Sequence, residues 1–183
     1  EPVIVTYLEP RQRVLFNQSR DTNPFFNLME SLYMLNGGSE VGPLDYYSSK
    51  YSSFCSDDGI TQHAAYGRRW RSWFGYDQLE VLVKELKSNQ NSRRCVLAMW
   101  DACCCEEVKP TDAKYGKARH DLFMATNGGK DTPCNTHAYF LTNNGRLDMT
   151  VCNRSNDMIL GMLGANVVHF SFLLEYMAAN IGV

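Results

Sequence analysis

The chain has 183 residues, 44% hydrophobic and 21% charged, which fits a globular domain with a real core and excludes disorder and fibrous repeats. Its 18 basic and 20 acidic residues leave a formal charge of -2, so no bulk attraction draws it to nucleic acid or a membrane, and any anion site must be local. Seven cysteines are an odd number, and three stand together at Cys103, Cys104 and Cys105, which favours reduced thiols and a cytoplasmic setting over a disulfide framework. Such a triplet cannot readily point three sulfurs at one metal, so no structural metal is expected.

Glu1 to Val5 lack the basic start and apolar core of a signal peptide, and the missing initiator Met reads as trimming. After Asn23-Pro24, the residues Phe25, Leu28, Met29, Leu32 and Leu35 recur at helical spacing and stop at Asn36-Gly37-Gly38, which predicts a helix. Glu30 falls on its other face with Phe26, Tyr33 and Met34, so a carboxylate sits among apolar groups, as a buried structural acid or a functional one. Ala65 to Arg71 combines a glycine, three arginines and two aromatics, which suits a groove for an anionic ring-bearing ligand or a solvated basic turn. Asp77 to Asn89 predicts an amphipathic helix with Leu79, Leu82, Val83 and Leu86 on one face and Asp77 or its neighbour as cap.

Ser92-Arg93-Arg94 offers either a bidentate phosphate contact or a surface ion pair. Cys95 to Trp100 is short, apolar and unbroken, as in a strand buried on both faces. From about Ala102 to Thr132 the pattern is irregular, with Lys109-Pro110, Gly116 and Gly128-Gly129, and reads as one long functional loop. His137 to Leu141, Asn144-Gly145 and Leu147 to Val151 predict a hairpin, because Asn-Gly supplies the positive backbone angles of a two-residue turn. Val167 to Ala179, interrupted by His169, Ser171 and Glu175, reads as a buried helix too short to cross a bilayer. With no internal repeat or linker, residues 1–183 read as a single α/β domain.

Cys134 and Arg154 flank the two open ends of the hairpin, and the ends of an antiparallel pair lie side by side. A thiol beside a guanidinium can be held as thiolate and used as a nucleophile. A cysteine hydrolase would need His137 or His169 as base, but His137 points along the same strand and is a poor partner. Structural roles suffice for Cys55, Cys95, Cys152 and the triplet.

The ordered set of Glu30, Tyr66-Gly67 with Trp70-Arg71, Ser92-Arg93-Arg94, Pro133-Cys134, Arg154-Ser155-Asn156-Asp157, Leu160-Gly161 and Asn166 resembles the thymidylate synthase family over nearly the whole chain. Asp21-Thr22-Asn23-Pro24-Phe25-Phe26 and Pro133-Cys134-Asn135-Thr136-His137 resemble its phage-type branch of synthases and pyrimidine nucleotide hydroxymethylases. The resemblance implies an α/β (α+β) thymidylate synthase-like fold, with a large mixed sheet at a dimer interface and helices over its other face. It implies that Cys134 attacks C6 of a pyrimidine deoxynucleoside monophosphate, making C5 a nucleophile for the one-carbon unit of 5,10-methylenetetrahydrofolate. Arg154 would activate the thiol and bind the phosphate with Ser155, while Arg93 and Arg94 would enter the site of a homodimer partner. Glu30 would organise water and relay protons, and Tyr66 would serve removal of the C5 proton. Asp157, Gly161 and Tyr51 would lie near the folate, and Asn156, Asp157 and Asn166 near the nucleotide.

An amide at Asn166 would read uracil and so favour deoxyuridylate, whereas a carboxylate there would favour cytosine. One extra residue separates Gly161 from Asn166 relative to the family. Asn135 replaces a histidine of the cellular enzymes, and Tyr51 and Phe54 replace tryptophans that shield an exocyclic methylene from water. Weaker shielding favours a 5-hydroxymethyl product over thymidylate. A thymidylate synthase and a non-catalytic nucleotide- or RNA-binding relic are the alternatives; no metal, membrane or DNA is implied. The family's later sugar-binding residues and C-terminal lid are not among these residues, and its N-terminal phosphate arginine is upstream or replaced by Arg11, Arg13 or Arg20.

Overall fold

The computed structural model describes residues 2–49, 51–54, 59–102, 121–126 and 131–183. Cys55, the Cys103 to Cys105 triplet, Lys109-Pro110, Gly116 and Gly128-Gly129 lie outside the described residues, as does the side chain of Phe54. In chain order come helices α1 (Pro24–Leu35), α2 (Gly42–Asp45), α3 (Tyr66–Arg71) and α4 (Gln78–Ser88), strand β1 (Val96–Ala98), and helix α5 (Asp121–Thr126). Strands β2 (Asn135–Asn143) and β3 (Arg146–Asn153), a π turn (Met158–Met162) and helix α6 (Ala165–Ile181) follow.

Local chemistry accounts for the best-formed elements. The Asn23 side chain accepts from the Phe26 N–H with Pro24 in the first turn of α1, and Asp77 caps α4 by accepting from Glu80 N–H. Asn144 and Gly145 both have positive φ, 50° and 71°, the two-residue turn that the right-handed twist of a hairpin favours. The register runs from Asn143 opposite Arg146 to Asn135 opposite Asn153, with an irregularity between Asn135 and His137. Among the described residues the sheet has three strands in the order β1-β2-β3, all antiparallel.

One face of this sheet is covered. Leu79, Leu82 and Leu86 of α4 and Phe170, Leu173, Met177 and Ile181 of α6 join Leu97, Ala138, Phe140 and Leu147 in the main core. β1 is therefore buried on one face only: Leu97 is inaccessible while Val96 is 42% exposed, because the helices pack on a single side. The apolar run at the C-terminal end also reaches further than Val167 to Ala179. From Met158 to Ile181 it has 24 residues, enough to cross a membrane by length and composition alone, yet α6 uses its inner stripe as a core helix.

Helix α1 is rotated relative to its apolar pattern. Phe25 is 75% exposed and Leu28 and Leu32 are also open, while Asn27, Glu30, Ser31 and Met34 face inward. Two of the inward polar groups have polar neighbours: Ser31 Oγ donates to Asn27 O at 2.7 Å, and Glu30 Oε2 lies against His169 of α6.

The arginines of α3 are tied into the fold. Arg69 is inaccessible to solvent and forks onto Asp121 of α5, Nη1 to Oδ2 at 2.6 Å and Nη2 to Oδ1 at 2.9 Å, and it also donates to the carbonyls of Met99 and His63. His63 Nε2 lies 2.8 Å from Asp121 Oδ1, and the Asp101 N–H donates to Oδ2 at 2.7 Å. Burial by itself raises the Asp121 carboxyl pKa, but His63 and Arg69 together hold it below the ordinary aspartate value. Arg71 donates to Asp77, and Arg68 lies over Trp73. Gly67 is needed for close approach: a Cβ there would come 2.5 Å from Met34 O, so α3 and α1 touch backbone to backbone. The stretch read as one long loop thus contains a helix whose first residue is buried under the core's rim.

Candidate active site

The open end of the hairpin brings Cys134 and Arg154 together. The Arg154 N–H donates to Cys134 O at 2.9 Å, and Nη2 lies 3.9 Å from Cys134 Sγ. The guanidinium is fixed by three further bonds, from Nε to Pro133 O at 2.8 Å and from Nη2 to Thr132 O and Oγ1 at 3.1 and 2.9 Å. It also faces the Trp100 ring at 5.6 Å. Thus one edge of Arg154 serves as architecture, while its exposed remainder is open to an anion. At this separation the attraction for a thiolate is about 1 kcal/mol in water and about 4 kcal/mol at the dielectric of a protein surface. A ligand that displaces water therefore strengthens the pairing.

Tyr66, from the first turn of α3, closes the other side. Its hydroxyl oxygen accepts the backbone N–H groups of both Cys134 and Asn135 at 3.0 Å. Burial pushes the phenol up to about 12, so it is neutral and has its own proton left to present. Asn135 itself is fully buried, and among the described residues neither of its side-chain polar atoms has a hydrogen-bond partner.

Glu30 sits deeper, between helices. Its Oε2 is 2.7 Å from His169 Nε2, with side-chain exposures of 11% and 6%. The Tyr51 hydroxyl donates to Gln62 Oε1 at 3.0 Å; burial first and the Glu30 carboxylate second raise its pKa far above an ordinary phenol's. The adjoining Phe170 ring lies 6.4 Å from that of Tyr66, which links this pair to the Cys134 side. His169 was weighed in the sequence only as a base for Cys134; its pairing with Glu30 was missed, because residues 30 and 169 carry no local signal for each other.

The π turn forms the third wall. Asp157 Oδ1 accepts from Ile159 N–H at 2.8 Å and Leu160 N–H at 2.7 Å, which lowers its carboxyl pKa, with Arg20 adding to the effect. Met162 N–H donates to Asp157 O and Leu163 N–H to Met158 O, five residues back in each case. These wider loops take up one residue more than the turns of an α-helix would. Asn166 Nδ2 donates to Asn156 Oδ1 at 2.9 Å. Gly161 lies beneath that pair, where a Cβ would fall 2.1 Å from Asn156 Oδ1 and 3.0 Å from Asn166 Nδ2. Met158, Ile159, Leu160 and Leu163 are exposed beside it, an apolar surface suited to a flat ring.

Ser155 is exposed next to Arg154, where a phosphate held by the guanidinium could reach it. Arg93 and Arg94 are not part of this cluster. They are exposed on an open depression of about 560 Å³ lined by Asn89, Asn91, Ser92, Arg93 and Arg94. With Val96 opposite Tyr139, they lie some seven to eight residues of strand, roughly 25 Å, from Cys134. Of the candidate replacements for the N-terminal arginine, Arg13 pairs with Glu175 and Arg20 Nη2 donates to Ile159 O at 2.8 Å, so Arg20 alone is tied to the π turn. Among the described residues no group of three His, Cys, Asp or Glu could hold a metal ion.

Comparison with known proteins places the chain in a family. The family described as Thymidylate synthase matches residues 26–183. The chain is 50% identical to the deoxyuridylate hydroxymethyltransferase of Pseudomonas phage M6 over 184 aligned residues, covering 100% of this chain and 47% of that protein. It is 36% identical to the protein of the same name from Bacillus phage SP01, covering 100% of this chain and 45% of that one. The chain thus spans about half the length of the curated relatives it matches. The crystal structure of thymidylate synthase from T4 phage superposes with a TM-score of 0.59 over 84% of this chain and 51% of that one, at 23% identity, a likeness of fold. The matched family, the two relatives aligned over the entire chain and the shared fold together establish that the chain belongs to the thymidylate synthase family.

Proposed function

We propose that the chain catalyses one-carbon transfer from 5,10-methylenetetrahydrofolate to C5 of deoxyuridylate, giving the 5-hydroxymethyl nucleotide. The observation that carries this reading is the placement of Cys134 Sγ beside Arg154 at the open end of the hairpin, under the Tyr66 hydroxyl. The thiolate adds to C6 of the pyrimidine, and Arg154 with Ser155 holds the 5′-phosphate. Tyr66, as a neutral phenol, holds a water that receives the C5 proton rather than acting as phenolate. Glu30 relays protons, and the folate lies on the apolar face of the π turn, bounded by Asp157, Gly161 and Tyr51.

The base preference follows from the amide pair. With Nδ2 of Asn166 committed to Asn156, its Oδ1 accepts from N3–H of uracil, a donor that neutral cytosine lacks. The hydroxymethyl outcome is supported by the identity of the two curated relatives and by Tyr51 where a bulkier shield would exclude water. Arg93 and Arg94, far from Cys134 and exposed, would serve the phosphate of a homodimer partner. In this reading residues 1–183 act as one domain and the work is done in the cytoplasm of a host cell.

Purified protein given methylenetetrahydrofolate with deoxyuridylate or deoxycytidylate in parallel should yield hydroxymethyl deoxyuridylate and tetrahydrofolate. Thymidylate with dihydrofolate absorbance would instead establish the synthase. Binding of 5-fluorodeoxyuridylate with no covalent adduct would point to a non-catalytic relic.

A further inference from the structure

Among the buried ionisable groups that the mechanism above leaves unused, His169 touches one that the mechanism needs. His169 is 6% exposed, stands on α6 opposite Glu30 of α1, and its Nε2 is 2.7 Å from Glu30 Oε2. The contact is close without being aligned as a hydrogen bond, so among the described residues the buried Nε2 has no hydrogen-bond partner. A buried ring nitrogen without a partner calls for an occupant, and the adjoining carboxylate makes that occupant a hydrogen-bonding one. The next residue, Phe170, packs toward Tyr66, whose hydroxyl is bonded to Cys134 and Asn135, so the pair borders the nucleotide site.

We infer that His169 and Glu30 jointly seat the water that adds to the exocyclic methylene of the nucleotide, with His169 as its positioning residue. The inference rests on the hydroxymethyl reading proposed above. In the step, the water oxygen bonds to the methylene carbon while its proton passes to the Glu30 carboxylate. The electron pair of the methylene double bond moves into the ring, C5 to C4 and O4. It then returns to form C5=C6 as the bond from C6 to Cys134 Sγ breaks, releasing the thiolate. No oxidant or reductant is needed, and tetrahydrofolate has already left. His169 fixes where the water oxygen lies, while Glu30 takes the proton. A purely structural ion pair between α1 and α6 would affect folding or all steps alike; a water seat affects the last step alone.

The test compares two readouts in wild type, His169→Ala and His169→Gln. Release of tritium from C5 of deoxyuridylate reports the chemistry before water addition, and hydroxymethyl nucleotide formation reports the addition itself. We expect His169→Ala to keep tritium release within about 3-fold while hydroxymethyl formation falls about 100-fold, the scale of a reactant moved out of its productive position. Added thiol should then trap the methylene as a thioether. His169→Gln, which restores a donor, should recover about tenfold of that loss. Equal loss of both readouts in both variants, or unchanged hydroxymethyl formation in His169→Ala, overturns the inference. Adduct formation with 5-fluorodeoxyuridylate confirms that each variant is folded and binds. If the wild type itself makes no hydroxymethyl nucleotide, it is the proposed function that fails, not the role of His169 within it.

Discussion

The hairpin end that carries Cys134 and Arg154 differs in construction from the α1–α6 interface that carries Glu30 and His169. At the hairpin, the reactive groups are held by backbone: Arg154 donates to carbonyls of Thr132 and Pro133, and Tyr66 accepts two consecutive N–H groups. At the interface, two helices place single side chains against each other across 139 residues of sequence. The first design fixes position through ladder geometry and tolerates changes at the surface. The second depends on the rotation of α1, which turns Phe25, Leu28 and Leu32 outward so that Glu30 can face α6.

The substitution with the largest expected effect removes the hairpin's reactive atom. Cys134→Ser should abolish both turnover and the covalent adduct with 5-fluorodeoxyuridylate, seen by mass spectrometry, while nucleotide binding persists through Arg154. Next comes the support under the site. Asp121→Ala leaves Arg69 buried and unpaired and should cost about 3–5 kcal/mol in urea unfolding. The sign of its pH dependence is fixed, because the folded carboxyl is held below its unfolded value of about 3.9. The stabilisation is present above that value and is lost as pH falls through the depressed folded one, so the variant should show a flatter acid limb than the wild type.

Gly161→Ala strikes the third wall. Its Cβ meets the Asn156–Asn166 pair, so stability should fall by about 1–3 kcal/mol, and preference for deoxyuridylate over deoxycytidylate, measured as the ratio of kcat/KM, should fall with it. Asn156→Ala removes the clamp without the clash, and the same ratio should drop by up to about tenfold, the value of one hydrogen bond, with stability nearly unchanged. An unchanged ratio in Asn156→Ala would show that Asn166 needs no fixing. The smallest effect is expected for Asp157→Asn, because asparagine also caps a helical start. Its neutral-pH unfolding midpoint should stay close to wild type. On the acid side the variant should lose slightly less stability than the wild type, since the Asp157 pKa is lowered in the fold and asparagine does not titrate.

How much of this was legible in the chain follows the same division. The hairpin was readable because Asn144-Gly145 and the flanking alternation state their geometry locally, and Asp77 announces the start of α4 in the same way. The Cys134–Arg154 meeting followed from that register. The orientation of α1 was not readable from periodicity, since three of the five residues that look like its core stripe, Phe25, Leu28 and Leu32, are exposed while Asn27, Glu30 and Ser31 face inward. Arg69 illustrates the same gap: as part of a basic run it resembles a ligand site, and only Asp121, 52 positions later, makes it a buried fork. The short β1 was read as wholly buried because an apolar run does not state how many faces are covered.

The π turn at Met158–Met162 bears on how this chain can change in length. One residue added to an α-helix turns everything beyond it by about 100°, which would swing His169 away from Glu30 and move Leu173 and Met177 off the core. By widening two hydrogen-bonded loops just before α6 begins, the turn acts as a phase adjuster. An insertion here is neutral to the packing downstream, while the same insertion one turn later, inside α6, should unseat the interface.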